Sequence, residues 1–370
     1  MERSRHRSDF TPIYATIKED LKQRIASGEL RPGDPIEPRH KLMEMYGTSW
    51  ATVHRAVSEL VLEGWLVAAQ GKGTFVAQRA LHREVKVLLL NEVSTWHDSL
   101  LQMMEGIRTE AHARYAAVSY IEVPESRIAE WDLDGHIVVV PSEADRRLLD
   151  AAAEKGARFV VLGSDYPERP LLPCVNADTR AGVEKAMQYL MSEGHRHVGL
   201  IGVVSGFPNY QREVEGYSKA LQEAGIDVNP DYILYRTPDG ADLVQSITEW
   251  YARHPQITAI FAADYTSGLA TLSFARRAKL DVPRDLSVLC MDELPVSGML
   301  PVALTTVRQP FVELGKLAVR RLLTALEGHP VRGLQSLPCE LIIRDSVAKV
   351  SARPRAGSSV PGRRATGWPE

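Results

Sequence analysis

The sequence predicts a multi-domain α/β protein, with a winged helix-turn-helix followed by two doubly wound parallel sheets. Two observations carry this prediction. Residues 47–76 read as a capped amphipathic helix followed by a glycine-flanked hairpin, and from residue 85 onward short apolar runs alternate with helical stretches. Strands that alternate with helices are typical of parallel sheets covered on both faces. With 370 residues, 44% of them hydrophobic, the chain is long enough for two or three domains.

The first two helices of the head are predicted from apolar spacing. The apolar face of the first helix is formed by four residues spaced four apart: Ile13, Ile17, Leu21 and Ile25. Such spacing places side chains on one face of a helix. Glycine and proline between 28 and 35 end this helix, and a second helix is expected over 39–46 with Leu42 and Met45 directed inward.

The third helix and the hairpin after it form the most informative stretch. Ser49 can cap the helix, because its hydroxyl can accept from an amide in the first turn. One buried face is predicted from the spacing of Val53, Ala56, Val57, Leu60 and Val61. Gly64 ends the helix, and Gly71-Lys72-Gly73 forms a tight turn with a lysine at its tip. This is the winged-helix arrangement, in which the helix enters a major groove and the hairpin contacts the backbone or minor groove. Periodicity alone leaves open a similar fold without a nucleic-acid partner.

Residues 11–77 resemble the DNA-binding domain of the GntR family. The matching landmarks are Ile13-Tyr14, Ile17, Leu21, Ile25, Gly28-Glu29-Leu30, Pro32-Gly33-Asp34, Leu42, Tyr46-Gly47, Ser49, Thr52-Val53, Ala56, Leu60, Glu63-Gly64 and Gly71-Lys72-Gly73-Thr74-Phe75-Val76. The resemblance implies binding to duplex DNA through Arg39, His40, Ser49, Trp50, Thr52, His54, Arg55, Lys72 and Thr74. His40, Trp50 and His54 stand where the family commonly has arginines. Arginine reads guanine with a bidentate fork that neither tryptophan nor neutral histidine can replace. We therefore expect an operator different from the common family site.

The body of the chain reads as alternating strands and helices. Strands are predicted over 85–90, 117–123, 137–140, 159–162, 198–203, 232–235, 259–262 and 287–291. Helices are predicted over 98–114, 142–155, 181–193, 211–224, 242–253 and 267–278. Two such runs on either side of residue 178 indicate two lobes. Ligands of open α/β sheets bind at the carboxyl ends of the strands, so the cleft between the lobes is the expected ligand site.

Residues 85–347 resemble the effector domain of the LacI/GalR family, which is similar to periplasmic sugar-binding proteins. The resemblance is carried by residues 175–178 with 194–199, by Arg212 with Gly216-Tyr217, by 283–293, and by 304–315. It implies a two-lobed, periplasmic-binding-protein-like fold. It also implies a small-molecule effector, with a sugar or polyol favoured, and a homodimer that grips two half-sites.

The same resemblance points to effector contacts. Arg212 and Asp292 match the residues that hold ligand hydroxyls in the family, and each can engage two neighbouring hydroxyls. Asp264 follows an alanine where the family often has asparagine, and Ser164 stands where it often has aspartate. Four aromatic residues that follow predicted strands are candidates for stacking on a sugar ring: Trp96, Phe207, Tyr210 and Tyr265. Of these, Trp96 and Tyr210 are preferred. The expected effector site is Trp96, Ser164, Tyr210, Arg212, Asp264 and Asp292.

Catalytic and metal-binding motifs are missing from the sequence. The glycines at 199, 202 and 206 do not have the Gly-x-Gly-x-x-Gly spacing, and neither a phosphate loop nor a Gly-x-Ser-x-Gly elbow is present. His195 and His197 have no carboxylate or cysteine at metal-binding spacing. We therefore predict no enzymatic activity, no catalytic residues, no cofactor and no metal.

Cysteine content and hydropathy indicate a cytoplasmic protein. The three cysteines, at 174, 290 and 339, have no metal-like spacing, as expected in a reducing cytosol. No apolar run approaches the roughly 20 residues of a membrane span, and the polar, basic start has no apolar core of a signal peptide. We expect no membrane partner.

The sequence thus predicts a ligand-responsive transcriptional repressor. The expected division is a flexible arm (1–10), a winged helix (11–77), a linker (78–84), a two-lobed effector domain (85–347) and a disordered tail (348–370). Within the effector domain, the first lobe is expected at about 85–177 and 308–336, and the second at about 178–307 and 337–347. Two alternatives remain open: a sugar-binding module that ignores DNA, and a regulator whose effector is a purine or a phosphorylated metabolite.

Overall fold

The structure, a computed structural model, describes most of the chain. It covers residues 12–77, 84–89, 97–114, 116–122, 132–236, 242–293 and 296–350. The predicted arm, the linker up to residue 83, the tail after residue 350 and Trp96 lie outside the described residues. Within the described ranges, no helix combines the length and the apolar character that crossing a membrane requires.

The head consists of three helices and a two-stranded wing. Its elements are α1 (Ile13–Ala26), α2 (Arg39–Tyr46), α3 (Trp50–Leu62), β1 (Leu66–Ala69) and β2 (Gly73–Val76). The two strands pair antiparallel, with Leu66 opposite Val76. Ser49 caps α3 as predicted, accepting from the backbone amide of Thr52. The winged helix-turn-helix predicted from the sequence is confirmed.

The core of the head lies between the three helices. It includes Ile17, Leu21, Ile25, Leu42, Val53, Ala56, Val57 and Leu60, each fully buried. Two predicted core residues do not belong to it: Ile13 is 50% exposed and Met45 is 51% exposed. Ile13 is the first residue of α1, and α2 covers only eight residues.

The body contains two six-stranded sheets. The first has the order β13-β7-β6-β5-β3-β4 and the second β14-β12-β11-β10-β8-β9. Strands of the first sheet are β3 (Glu84–Leu89), β4 (Ala117–Glu122), β5 (His136–Val139), β6 (Val160–Leu162), β7 (Cys174–Ala177) and β13 (Leu334–Leu337). Strands of the second sheet are β8 (Val198–Val203), β9 (Ile233–Tyr235), β10 (Ala259–Ala262), β11 (Ser287–Met291), β12 (Thr305–Arg308) and β14 (Glu340–Ile342). All pairings between them are parallel except that of β12 with β14, which confirms the predicted doubly wound architecture.

Helices cover both sheets. They are α4 (His97–Ala113), α5 (Arg146–Glu154), α6 (Thr179–Ser192), α7 (Pro208–Glu223), α8 (Leu243–Arg253), α9 (Tyr265–Arg277) and α10 (Phe311–Leu326). We call the first sheet with α4, α5 and α10 the first lobe, and the second sheet with α6 to α9 the second lobe. Helices α4 and α10 approach closely at two glycines. A Cβ atom at Gly106 would lie 2.0 Å from the carbonyl oxygen of Val312, and one at Gly315 would lie 2.2 Å from that of Met103.

The chain passes between the lobes three times within residues 174–342. It passes from β7 to α6, from β12 to α10, and from β13 to β14. Asp178, at the first passage, caps α6 by accepting from the amide of Ala181. Loops at the carboxyl ends of the strands meet where the lobes face each other, and there the amide of Glu143 donates to the carbonyl of Gly206 at 2.8 Å.

Candidate functional site

The exposed side of α3 carries a stacked aromatic pair. Trp50, the first residue of the helix, is 55% exposed. Its ring lies 4.5 Å from the His54 ring, centroid to centroid, with 11° between the planes. His54 is also exposed. Residues four apart on a helix share a face, so the pair forms one continuous aromatic surface near the start of α3.

Arg55 is directed to the other side of α3. Its Nε donates to Glu59 at 2.9 Å, and its guanidinium carbon lies 3.9 Å from the centroid of the Tyr14 ring. Lys18 of α1 also donates to Glu59, at 2.6 Å. These contacts, first among them the bonds from Lys18 and Arg55, lower the pKa of Glu59. Arg55 thus helps to join α3 to α1 while remaining partly exposed.

The remaining predicted DNA contacts are distributed over the head. Ser49 and Thr52 are joined at the start of α3, with 2.9 Å between their hydroxyl oxygens. Lys72 is exposed in the turn of the wing and His40 at the start of α2. Thr74 is only 7% exposed, so its predicted role as a surface contact does not agree with the structure.

Arg39 is more enclosed than His40, the next residue in the sequence. Its Nε is buried and has no hydrogen-bond partner among the residues that the structure describes. Of the predicted set, Trp50 with His54 and Ser49 with Thr52 are therefore brought together, and Lys72 and His40 are presented separately.

In the body, Arg212 crosses from the second lobe to the first. It lies on α7 and donates from Nε and Nη2 to Oδ2 of Asp165, at 3.1 and 2.8 Å. Asp165 follows β6, and its other oxygen accepts from Asn176 at 2.8 Å. The remaining guanidinium nitrogen of Arg212, Nη1, donates to Oε2 of Glu215 at 2.7 Å. The contact therefore joins the loop after β6 to α7 across the cleft.

Asp165 was missed in the sequence because the carboxylate was sought one residue earlier. Ser164 is fully buried and its hydroxyl donates to the carbonyl of Pro141 at 3.0 Å. Ser164 therefore serves the packing of the loop, and the prediction that it contacts an effector does not agree with its burial. A carboxylate directly after an apolar strand was the signal that could have identified Asp165.

A second polar group lies at the carboxyl ends of β9 and β10. Tyr210 donates to Oδ2 of Asp264 at 3.2 Å, and Arg236 Nη2 lies 3.4 Å from the same oxygen. Asp264 also caps α9 by accepting from the amide of Ser267 at 2.7 Å. Tyr210 is 3% exposed, so its ring offers no open face for stacking on a sugar, contrary to the prediction. Burial, followed by the charge of Asp264, raises the pKa of its hydroxyl well above the usual value.

Asp292 lies just after β11 in a left-handed backbone conformation, with φ of 70°. Gln309 donates to its Oδ1 at 2.8 Å. Desolvation, with a contribution from the charge of Asp264, raises the pKa of Asp292 to about 7. This carboxyl therefore changes charge near neutral pH.

Glu213 is a buried acid that the sequence analysis did not identify. It is 2% exposed, and its Oε2 is enclosed without a hydrogen-bond partner among the described residues. Desolvation, followed by the charges of Asp292 and Asp264, raises its pKa well above the usual value. The signal was present in α7, because Glu213 falls on the face that also carries the buried Tyr210 and Tyr217.

These side chains give the cleft several carboxyl oxygens that can accept hydrogen bonds, and Arg236 Nη2 has no hydrogen-bond partner among the described residues. Three carboxyls, Glu213, Asp264 and Asp292, influence one another, while Arg212 and Arg236 each lie against a carboxylate. Among the described residues, no group of three or more histidines, cysteines and acids could hold a metal ion. Such a surface suits a ligand that presents hydrogen-bond donors.

A cavity of about 300 Å³ lies where Glu143 of the first lobe meets the start of α7, and none of the predicted effector residues that the structure describes lines it. Its lining includes Glu143 from the first lobe and, from the second lobe, Phe207, Gln211 and Tyr235. Its volume is at the lower end of the range for small-molecule sites. Phe207, which the sequence analysis ranked below Tyr210, is partly exposed at this cavity, and Tyr235 is exposed there as well.

Comparisons with known proteins agree with this division into head and body. Residues 13–76 match the model of bacterial regulatory proteins of the gntR family, and residues 187–347 match that of the periplasmic binding protein-like domain. Over 243 residues the chain is 30% identical to the HTH-type transcriptional repressor CytR of Escherichia coli (strain K12), covering 64% of this chain and 68% of that protein.

Similarity to a second repressor extends through the head. The chain is 24% identical over 362 residues to the arabinose metabolism transcriptional repressor of Geobacillus stearothermophilus, covering 92% of this chain and 98% of that one. A solved LacI family transcriptional regulator from Enterococcus faecium with bound ribose has a similar fold. Its TM-score is 0.60 at 21% identity, and the match covers 72% of this chain and 100% of that chain.

Proposed function

Because this chain belongs to the GntR/LacI-type transcriptional repressors and is a ligand-responsive regulator, we propose that it represses transcription as a cytoplasmic homodimer. Its head binds operator DNA, with the start of α3 in the major groove and Lys72 near a phosphate. A sugar-binding module that ignores DNA is not favoured, because residues 13–76 match a regulator family.

The effector that we propose is an uncharged sugar or polyol. The observation that carries this proposal is the pairing of the Arg212 guanidinium with two carboxylates, at 2.8 Å to Asp165 and 2.7 Å to Glu215. A phosphorylated metabolite would need free cations, whereas hydroxyls can donate to the carboxyl of Asp292, which is partly exposed. The arabinose repressor and the ribose-bound regulator support the same class of ligand.

The effector acts by changing how the lobes meet. Arg212 and Asp165 join the lobes directly, so a ligand that engages either side chain alters the closure of the cleft. In a dimer, closure changes the spacing of the two heads, and effector and operator affinities are then reciprocally coupled. A coupling of about 1–3 kcal/mol, or roughly 5- to 150-fold in affinity, is sufficient for a switch.

A thermal-shift screen tests the effector proposal. The probes are arabinose, ribose, glucose, ribitol, adenosine and ribose 5-phosphate. A ligand at 100 times its Kd stabilises the native state by about 2.7 kcal/mol, so a neutral sugar or polyol should raise Tm measurably. The shift should disappear in Arg212→Ala and persist in Arg284→Ala, which removes a guanidinium from an exposed turn.

Two results would contradict the proposal. A shift that is equal in both variants would place the ligand outside the cleft. A shift produced by ribose 5-phosphate or adenosine, with none from the neutral sugars and polyol, would replace the proposed effector class with the corresponding alternative.

A further inference from the structure

The start of α3 presents an unusual surface for a helix that enters a major groove. The residues exposed there are Ser49, Trp50, Ala51, His54 and Arg55, and of these only Arg55 carries a guanidinium or ammonium group. Arg55 is the one arginine of α3, and it is engaged by Glu59 and by the ring of Tyr14. Residues near the start of a recognition helix are those that reach base edges. Beside Arg55, the part of this surface formed by Trp50, Ala51 and His54 is apolar and aromatic.

The stacked arrangement makes this surface a single unit. With 4.5 Å between the ring centroids and 11° between the planes, Trp50 covers one face of His54 and restricts both side chains. What remains exposed is the rest of the indole, the methyl group of Ala51 and the edge of the imidazole. An exposed aromatic surface of this kind cannot neutralise a phosphate, but it can pack against an apolar group.

In the major groove, one base carries such a group. Thymine alone presents a C5-methyl there, and apolar side chains are its usual contacts, whereas an arginine fork in the same place would select guanine. We propose that the Trp50–His54 pair reads the operator through a thymine methyl group in each half-site. This inference rests on the proposed binding of the head to operator DNA and adds the base that the head selects.

Binding selection followed by methyl deletion tests the inference. The full-length protein selects duplexes from a randomised pool, and each thymine of the selected sequence is then replaced, one position at a time, by deoxyuridine. That replacement removes only the C5-methyl group. Burying a methyl-sized group is worth about 0.8 kcal/mol, so at one position in each half-site we expect affinity to fall about fourfold.

Three variants identify the side chain responsible. Trp50→Ala should abolish the difference between thymine and deoxyuridine at that position. Leu62→Ala, which removes an 87% exposed apolar side chain from the far end of the same helix, should retain the difference. Lys72→Ala should weaken binding to all duplexes alike and also retain it. Trp50 is half exposed, and alanine favours a helix, so melting of the variants should follow wild type.

Each other outcome overturns a defined part of the reasoning. If deoxyuridine is tolerated at every position, or if the difference survives in Trp50→Ala, the assignment of Trp50 as the thymine reader is wrong while DNA binding stands. If the full-length protein selects no duplex at all, the proposed DNA-binding function fails, and this inference fails with it.

Discussion

Replacing Asp292 by asparagine should stabilise the protein at neutral and higher pH. Asparagine retains the oxygen that accepts from Gln309 at 2.8 Å, and it tolerates the left-handed conformation at φ 70° better than most residues. The substitution therefore removes the charge and keeps the shape. The difference in free energy of unfolding between wild type and variant therefore measures how much ionisation of Asp292 destabilises the folded state.

The magnitude follows from the pKa of Asp292, which rises from 3.8 to about 7 on folding. Below about pH 4 the carboxyl is protonated in both states and imposes no penalty. Between about pH 4 and pH 7 the unfolded chain releases the proton while the folded carboxyl keeps it, so the stability of the wild type falls as pH rises. At pH 8 the penalty reaches about 4 kcal/mol, and Asp292→Asn lacks it. At pH 5 it is only about 2 kcal/mol.

Differential scanning fluorimetry of the ligand-free protein between pH 5 and pH 8 measures this difference. In domains of 150–250 residues, 1 kcal/mol corresponds to about 2–4 °C in Tm, so the advantage of the variant should widen by several degrees across the range. Asp227→Asn, which changes an exposed carboxylate of the second lobe, should run parallel to wild type. Parallel curves for Asp292→Asn, or a variant less stable at pH 8, would refute the reasoning.

Two further substitutions test packing and capping. Gly106→Ala should destabilise the first lobe by several kcal/mol or prevent its folding, because the new Cβ would lie 2.0 Å from the carbonyl oxygen of Val312; a Tm equal to wild type would show that α4 and α10 separate at little cost. Ser49→Ala should cost the head about 1 kcal/mol through loss of the α3 cap, measured by urea unfolding. Ser49→Asp should restore most of that loss, and Ser58→Ala, inside the same helix, should cost little.

Helices with strong local signals were predicted well from the sequence. Ser49 and the apolar spacing that follows it fixed α3 closely, because a cap and a buried stripe are both local properties. Ile13 and Met45 had the right spacing but the wrong burial. Burial depends on how far the neighbouring helices extend, and that is a property of the folded head.

Other elements were missed for different reasons. Helix α10 was not predicted, although its buried residues include Phe311, Leu314, Ala318, Leu322 and Ala325 at helical spacing, so this signal was present and unused. Strands β7, β12, β13 and β14 contain only three or four residues each. Strands as short as these were predicted elsewhere, as at β6 and β10, where the run is continuously apolar; these four runs each include polar residues and so carry no such signal.

The cleft shows the same division between local and tertiary information. Motif positions pointed to Arg212 and Asp292, and the structure places both near the junction of the lobes. Asp165, the partner of Arg212, and Arg236, which lies against Asp264, could not be identified as partners from sequence, because each contact joins segments far apart in the chain. Tyr210 was expected to be open to a ligand and is instead enclosed by Asp264 and its surroundings.

The three passages of the chain between the lobes have a consequence for how such a protein can arise by recombination. The head occupies one continuous stretch, residues 13–76, so a single joint in a gene could exchange it for another DNA-binding module. Neither lobe has that property, because α10 and β13 of the first lobe follow most of the second lobe in the chain. Exchanging one lobe alone would need several simultaneous joints. Recombination at a single joint therefore leaves the effector body whole. This agrees with the present chain, whose head resembles one regulator family and whose body resembles another.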